Sequence, residues 1–512
     1  MFSINNINDG LFGKVIANPT RKELRDLAKD MEKTTEFKSA SYISEVRSRS
    51  AKNTYIVDEI KTGVDQQEIS KAKADEIAAK VFEYIKDKEM IRVDRKMGMS
   101  DKFSYNCRLY ISKKYARIAH MWNNTLFNPT DSENPDLVSI YVPEWPERIM
   151  FAYPESGVTF ILGSDYFGES KKSFLRMAMY KVKQAGGLGF HAGSKVLRVY
   201  DKNKKLKDVG FIMFGLSGTG KTTLTIHDHE LTGEEKAIVR QDDVVFMDEN
   251  GYCVGTENGF YIKTEGLNPE QQSVLYKAAT SENAALENIK VYEDGKVDFY
   301  DTSLTSNGRG VILREEIDTT DDTVNLEKAN KIIFITRRKD VVPPVVKLDP
   351  KQALDTFMLG ESIETSAGDP TKAGQSKRCV GTNPFIMGPE IEEGIKLREI
   401  LQNNPDMECF ILNTGSVGAK DDFDGEKLTI KVSTTIMKEI ARDNIDWVED
   451  EEWGYMVPSK VDGIDINKYN PRNYYTKEEY DKIANKLKLE RKVWLAKYEG
   501  SPEEKIAATV SI

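Results

Sequence analysis

The sequence predicts a two-domain α/β chain, and three observations carry that expectation. Its 512 residues exceed what one hydrophobic core usually organises. Short β-rich runs alternate with stretches of helical spacing. A glycine-rich loop, GLSGTGKT at 215–222, follows directly on the apolar run at 209–214, as a loop follows a buried strand. Composition is that of a packed globular protein, with 39% hydrophobic and 30% charged residues.

Taken in order, residues 20–40 and 65–90 carry apolar positions at helical spacing with Lys and Glu between them, which predicts solvated helices packed by one face. From about 103 to 165 the runs LVSIYVP, RIMFAY and VTFILG are punctuated by Asn, Pro, Asp and Gly, which predicts a sheet in the first domain. The polar stretch YDKNKKLKDVG separates two β-like runs, and a boundary is expected near residue 195, giving domains 1–195 and 196–512. In the second, AIVRQDDVVFMD, KIIFITR and MECFILNTG read as buried strands, and 350–358, 389–402 and 433–442 as helices. The tail at 476–500 reads as an amphipathic closing helix, with Thr476 and Glu479 at capping-box spacing. No repeat or low-complexity segment interrupts this order.

The formal net charge of -10 argues against broad nucleic-acid binding, which needs a basic surface. Cys107, Cys253, Cys379 and Cys409 form no CxxC pair, so neither a disulfide framework nor a zinc knuckle is indicated, and a reducing cytoplasm is expected. The start lacks a basic segment followed by an apolar core, and no apolar run reaches bilayer length, so neither export nor membrane spanning is expected.

GLSGTGKT satisfies the GxxxxGK[ST] pattern in its required setting, with a β-rich run before it and a helical stretch after it. Its glycines let backbone N–H groups converge on phosphate oxygens, and the helix dipole favours the anion. Lys221 is then expected on the outer phosphates and the Thr222 hydroxyl on the nucleotide's Mg²⁺. Asp242 and Asp243 end the run AIVRQ, where phosphoryl-transfer proteins hold a metal, although paired Asp also forms turns and caps. YFGESKKS, from Tyr166, and GGLGFHAGS, around His191, are rich in metal- and anion-binding residue types. The other histidines are His120, His227 and His229, and a lone loop histidine is as readily a hydrogen-bonded structural residue.

With these motifs in one order, the chain resembles the ATP-dependent phosphoenolpyruvate carboxykinases. RSAKNTYIV at 49–57 is similar to the family's RSPKDKYIV, YFGESKKS at 166–173 to YAGEMKKS, and the histidine loop matches at His191. GLSGTGKTT is reproduced at 215–223, and GDD becomes Gln241, Asp242 and Asp243. ENGFYIKT at 257–264, SNGRG around Arg309, VVPPV at 341–345, LNTG at 412–415 and PRN at 471–473 follow.

The resemblance implies a two-domain carboxykinase fold. A mixed α/β N-terminal domain would bind substrate, a P-loop C-terminal domain would bind the nucleotide, and the active site would lie in the interdomain cleft. It implies decarboxylation of oxaloacetate and phosphorylation of the enolate, giving phosphoenolpyruvate, ADP and CO2 reversibly, with no protein nucleophile. Lys172, as a neutral amine, His191 and Asp243 would hold a Mn²⁺. Arg49 would grip the substrate carboxylate, Tyr166 would sit at the CO2 or carboxyl group, and Ser217 would lie beside the enolate. Lys221 and Arg309 would neutralise the transferring phosphoryl, with Asp242 in the catalytic set. Gly215, Leu216, Ser217, Gly218, Thr219, Gly220, Lys221, Thr222 and Thr223 would cradle ATP, with Lys263, Arg309, Lys427, Leu428 and Ser433 completing the nucleotide site. The partners implied are small molecules, with no nucleic acid or membrane, acting on a monomer or small homo-oligomer.

Departures bear on the nucleotide. Lys427 stands where the family usually has an arginine beside the adenine, and Ser433 replaces a threonine. The lid, usually like SGFTAKLAGTE, reads LGESIETSAGDPTKAGQSKRC at 359–379, where Gly368, Gly374, Lys372, Lys377 and Arg378 would close over phosphates unless this is an ordinary exposed loop. Two other classes fit a phosphate loop: a kinase of the same fold acting on a hydroxyl acceptor without decarboxylation, and a regulatory protein that binds ATP as a signal. Neither has an evident need for Arg49, Tyr166 and a Lys172/His191 metal site.

Overall fold

The apolar runs Leu137–Val142, Val158–Leu162 and Ile149–Tyr153 are buried at almost every position and lie side by side in an eight-stranded mixed sheet. Strands covered on both faces need apolar residues throughout, which is why these segments read as continuous and not alternating. Helix Lys71–Ile85 turns Ala74, Ile77, Ala78, Val81 and Ile85 inward, and they join one core with Phe151 and Phe160 of the sheet. Each of the Ile, Val and Phe side chains, fully buried, contributes roughly 1.5–3 kcal/mol. The structure, a computed structural model, describes residues 4–129, 134–216, 218–270, 272–364 and 374–498.

The chain divides into two units: Met1–Ala185, Val254–Asp318 and Phe385–Glu390 form the first, and Gly186–Cys253, Thr319–Pro384 and Ile391–Ile512 the second. A single boundary near residue 195 therefore does not describe the chain. Strands Gly259–Lys263, Arg309–Leu313 and Ala285–Glu287 share a sheet with Ala40–Tyr42, so hydrogen bonding ties residues 254–318 to the first unit. The helix expected over 20–40 is likewise shorter. Only Arg21–Leu27 is α-helical, and Lys33–Thr34 and Ala40–Tyr42 are strands. Pairing of Ala40–Tyr42 with Ala285–Glu287 overrides the local helical pattern.

In the second unit, strands Leu206–Gly215, Lys331–Thr336 and Glu408–Asn413 run parallel at the centre of another eight-stranded sheet. Phe211, Met213, Ile333, Phe410 and Leu412 form its core with Ile436, Met437 and Ile440 of helix Ile430–Ala441. The register Gly215↔Ile335 and Thr336↔Asn413 brings the carboxyl ends of all three strands to one edge. That edge is where ligands bind in open α/β sheets. The closing helix runs Lys477–Leu495, and Thr476 and Glu479 make the expected capping box. Among the described residues no helix is long and apolar enough to cross a membrane.

Candidate active site

The glycine-rich loop leaves strand Leu206–Gly215 and enters the short helix Lys221–Ile226. A Cβ at Gly215 would fall 2.5 Å from Thr219 Oγ1, so the turn closes only around glycine. Gly218 and Gly220 have φ of 83° and 92°, a backbone region costly to other residues. The loop is held from behind. Thr219 Oγ1 donates to the Leu216 carbonyl at 2.8 Å, Thr414 Oγ1 to the Thr219 carbonyl at 2.7 Å, and Arg337 Nη1 to the Gly218 carbonyl at 2.6 Å. Leu216 is buried and Thr223 partly buried, while Ser217 lies outside the described residues.

Register also assembles the groups beside the loop. Ala192–Tyr200 pairs with the loop strand through Ala192↔Phe214 and with Lys236–Gln241 through Ser194↔Gln241. His191, just before one strand, and Asp242 and Asp243, just after another, thus reach the loop's edge. Thr222 Oγ1 donates to Asp242 Oδ2 at 3.1 Å, and Lys221 Nζ lies 4.0 Å from Asp243 Oδ1. His191 Nε2 is 3.3 Å from Asp243 Oδ1, while Nδ1 lies 2.8 Å from the Thr382 carbonyl. A carbonyl only accepts, so Nδ1 carries a proton, and in its neutral form the ring turns its Nε2 lone pair toward a carboxylate oxygen. Two electron-pair donors facing each other are the donor set a divalent cation takes, with the carbonyl orienting the imidazole. Among the described residues no three His, Cys, Asp or Glu side chains cluster as a metal site, so such an ion would need a ligand of another kind.

On the first unit, Tyr166 is the N-cap residue of helix Phe167–Gln184, which carries Lys172. The adjacent Lys171 points into the core instead, 2.8 Å from Glu257, both fully buried. Lys172 Nζ stands 4.7 Å over the Phe385 ring, and the Arg49 guanidinium stands 4.6 Å over the same ring. Glu169 accepts from the Ser50 N–H at 2.6 Å and lies 3.9 Å from Arg49 Nε. Burial raises its carboxyl, with Arg49 opposing. Asn307 joins the remaining groups. Its Nδ2 donates to Tyr166 Oη at 3.1 Å, and its Oδ1 accepts from Arg309 Nε and Nη2 at 3.0 and 2.7 Å. Tyr261 Oη donates to Tyr166 Oη at 3.0 Å, and burial pushes its own phenol well up, so it stays protonated. A phenol oxygen that accepts two hydrogen bonds keeps its own proton for a third partner.

Arg309 and Lys263 face each other across paired strands, and Lys263 forms an ion pair with Glu265. Both belong to the first unit and not to the unit of the phosphate loop. On the second unit, Lys427 is exposed and pairs in register with Ser416, whereas Leu428 and Ser433 are buried. Of the expected lid, Glu361–Ile363 pairs with Ser376–Arg378, and Gly368 and Lys372 lie outside the described residues. Arg378 is committed to the hairpin's base, 2.7 Å from Glu361, which Arg491 also holds at 2.8 Å. Burial opposes the charge on Glu361, but Arg491 and Arg338 outweigh it and keep the carboxyl well below the usual range.

Phe385, Asn307, Tyr261 and Glu169 were not singled out from sequence. Three lay inside quoted motifs, SNGRG, ENGFYIKT and YFGESKKS, where a signal existed; Phe385, in NPF, carried none.

A mixed α/β chain with a GxxxxGKT strand–loop–helix turn beside a histidine–aspartate pair has the build of a phosphoryl-transfer enzyme. The phosphoenolpyruvate carboxykinase family profile matches residues 13–467, and the chain belongs to that ATP-dependent family. Phosphoenolpyruvate carboxykinase (ATP) from Aeropyrum pernix is 35% identical over 425 residues, 82% of this chain and 83% of the relative. The enzyme of the same name from Leptospira biflexa is 28% identical over 471 residues, 86% and 84% of the two chains. The glycosomal one from Trypanosoma cruzi is 26% identical over 443 residues, 81% and 89%.

Proposed function

We propose that this chain is an ATP-dependent phosphoenolpyruvate carboxykinase, converting oxaloacetate and ATP to phosphoenolpyruvate, ADP and CO2. The observations that carry the reading are two groupings on the first unit: Asn307 binds Tyr166 and Arg309 together, and Arg49 and Lys172 share the Phe385 ring. A phosphate loop alone needs none of these groups.

Arg49 grips the substrate carboxylate through its planar fork, and the Phe385 face fixes its direction. Tyr166 directs its phenol proton at the carboxyl group that leaves, because Asn307 and Tyr261 occupy the oxygen's acceptor positions. The loop glycines and Lys221 cradle the ATP phosphates, and Arg309, oriented by Asn307, meets the transferring phosphoryl. His191, Asp243 and Lys172 would hold Mn²⁺, and Thr222 with Asp242 the nucleotide's Mg²⁺. The bound metal would supply Lewis-acid stabilisation of the charge left as CO2 departs. Lys427, Leu428 and Ser433 line the adenine end, and cytoplasmic location fits four cysteines that form no disulfide.

A coupled assay with oxaloacetate, ATP and Mn²⁺ tests this. Formation of phosphoenolpyruvate in step with ADP is expected. ATP hydrolysis without phosphoenolpyruvate would overturn the reading and favour the hydroxyl kinase.

A further inference from the structure

Between helix Phe167–Gln184 and strands Thr54–Val57, Ile149–Tyr153 and Val158–Leu162 lies a recess of about 370 Å³, counting its open mouth. It lies wholly within the first unit. Arg49, Lys172 and Arg176 line it, and among the described residues Glu169 is the only carboxylate that does. Glu169 is already engaged, accepting from the Ser50 N–H at 2.6 Å and lying 3.9 Å from Arg49 Nε. Arg176 is different. Its Nε is buried and, among the described residues, has no hydrogen-bond partner. Burial, and then the like charge of Arg49, push the guanidinium down to about 10, with Glu169 opposing. A sequestered cation with so little compensation is a cost to the fold that a bound anion would relieve.

We propose that Arg176 makes this recess a subsite for a small planar anion with one CO2⁻ group, of the formate or hydrogencarbonate class, held between Arg176 and Arg49. A guanidinium fork matches a planar carboxylate bidentately, and the apolar wall given by Phe151 and Ile161 limits size and strengthens the attraction. The subsite is argued from the recess alone and does not depend on the carboxykinase reaction. If Arg49 also grips the substrate acid, the small anion competes with that acid.

The test uses the full chain in EDTA, titrated separately with [13C]formate and [13C]hydrogencarbonate and followed by exchange broadening of the carbon line. Saturable broadening by either probe is expected, and which one binds identifies the anion. Arg176→Met should weaken it at least ~10-fold, and Arg176→Lys should restore it only in part, because lysine lacks the fork. Formate should raise the melting temperature of the wild type but not of Arg176→Met. Without anion, Arg176→Met should melt no lower than wild type. No binding to the wild type, undiminished binding to Arg176→Met, or a variant that melts markedly lower or fails to fold would each overturn the proposal. The last would mark Arg176 as a structural ion-pair member. Phosphoenolpyruvate formation, measured on a second portion of the same preparation with Mn²⁺ in excess in place of EDTA, separates the two readings: its absence with intact anion binding removes only the carboxykinase assignment.

Discussion

The glycine-rich loop and the side chains around Tyr166, the two parts of the proposed site, hold their groups in place by opposite means. The loop is backbone: its described residues take their shape from Gly215, Gly218 and Gly220, and neighbours brace its carbonyls. The other part is made of side chains from segments far apart in sequence, where Asn307 meets Tyr166 and Arg49 meets Phe385. A backbone site is robust to most substitutions except at its glycines. A side-chain site has a keystone, here Asn307, whose loss disorders two neighbours at once.

The comparison can be tested from its largest effect downward. His191→Ala removes a proposed metal ligand, so turnover should fall by several kcal/mol in barrier, on the order of 10³-fold, while ATP with magnesium still binds. Near-normal turnover, measured beside nucleotide titration, would show that His191 is only a structural residue of its loop. Asn307→Ala should lower kcat/KM for oxaloacetate by about 100-fold through misplacement of Tyr166 and Arg309, with ATP affinity unchanged. If ATP affinity falls equally, the two regions are not separable as described. Gly220→Ala meets no atom within 4 Å, so its cost is backbone strain alone, about 1–2 kcal/mol. That should appear as roughly tenfold weaker ATP binding in calorimetry; an unchanged constant would show that the positive φ is not required.

Smallest on turnover is Asp355→Asn, outside both regions, which should move only stability. Burial pushes the Asp355 carboxyl up to about 7, with Lys351 opposing. A raised folded value means that its contribution is complete below the ordinary Asp range and is lost as pH rises through about 7. Wild type should therefore lose stability between pH 5 and pH 8, at up to about 1.4 kcal/mol for each tenfold change in proton affinity. The variant's melting temperatures should be flatter and exceed wild type at pH 8. Parallel profiles would show that Asp355 does not titrate in this window.

Much of this was legible in the residues. Central strands Leu206–Gly215, Lys331–Thr336 and Glu408–Asn413 announced themselves as apolar runs, and the Thr476/Glu479 box marked the start of its helix within a residue, although the helix ends at Leu495 and not at 500. The loop was readable because its chemistry is local. Less legible were segments whose state depends on a distant partner. Residues 20–40 carry a helical pattern, yet Lys33–Thr34 and Ala40–Tyr42 are strands, because they pair with each other and Ala40–Tyr42 pairs with Ala285–Glu287. Arg378 read as a lid cation, whereas Glu361 and Glu490 hold it at the hairpin's base.

By itself, then, the sequence determined the α/β class, the glycine-rich strand–loop–helix turn and the family, since each is encoded in periodicity or in short runs whose interactions span a few residues. Only the tertiary structure decided that residues 254–318 and Phe385–Glu390 belong with the first unit, and that Lys171 faces Glu257 while Lys172 faces Phe385. The same holds for Arg176, which ends in a recess with little counter-charge. Those outcomes depend on strand pairing and burial between residues far apart in the chain, where no local pattern records which partner a side chain meets.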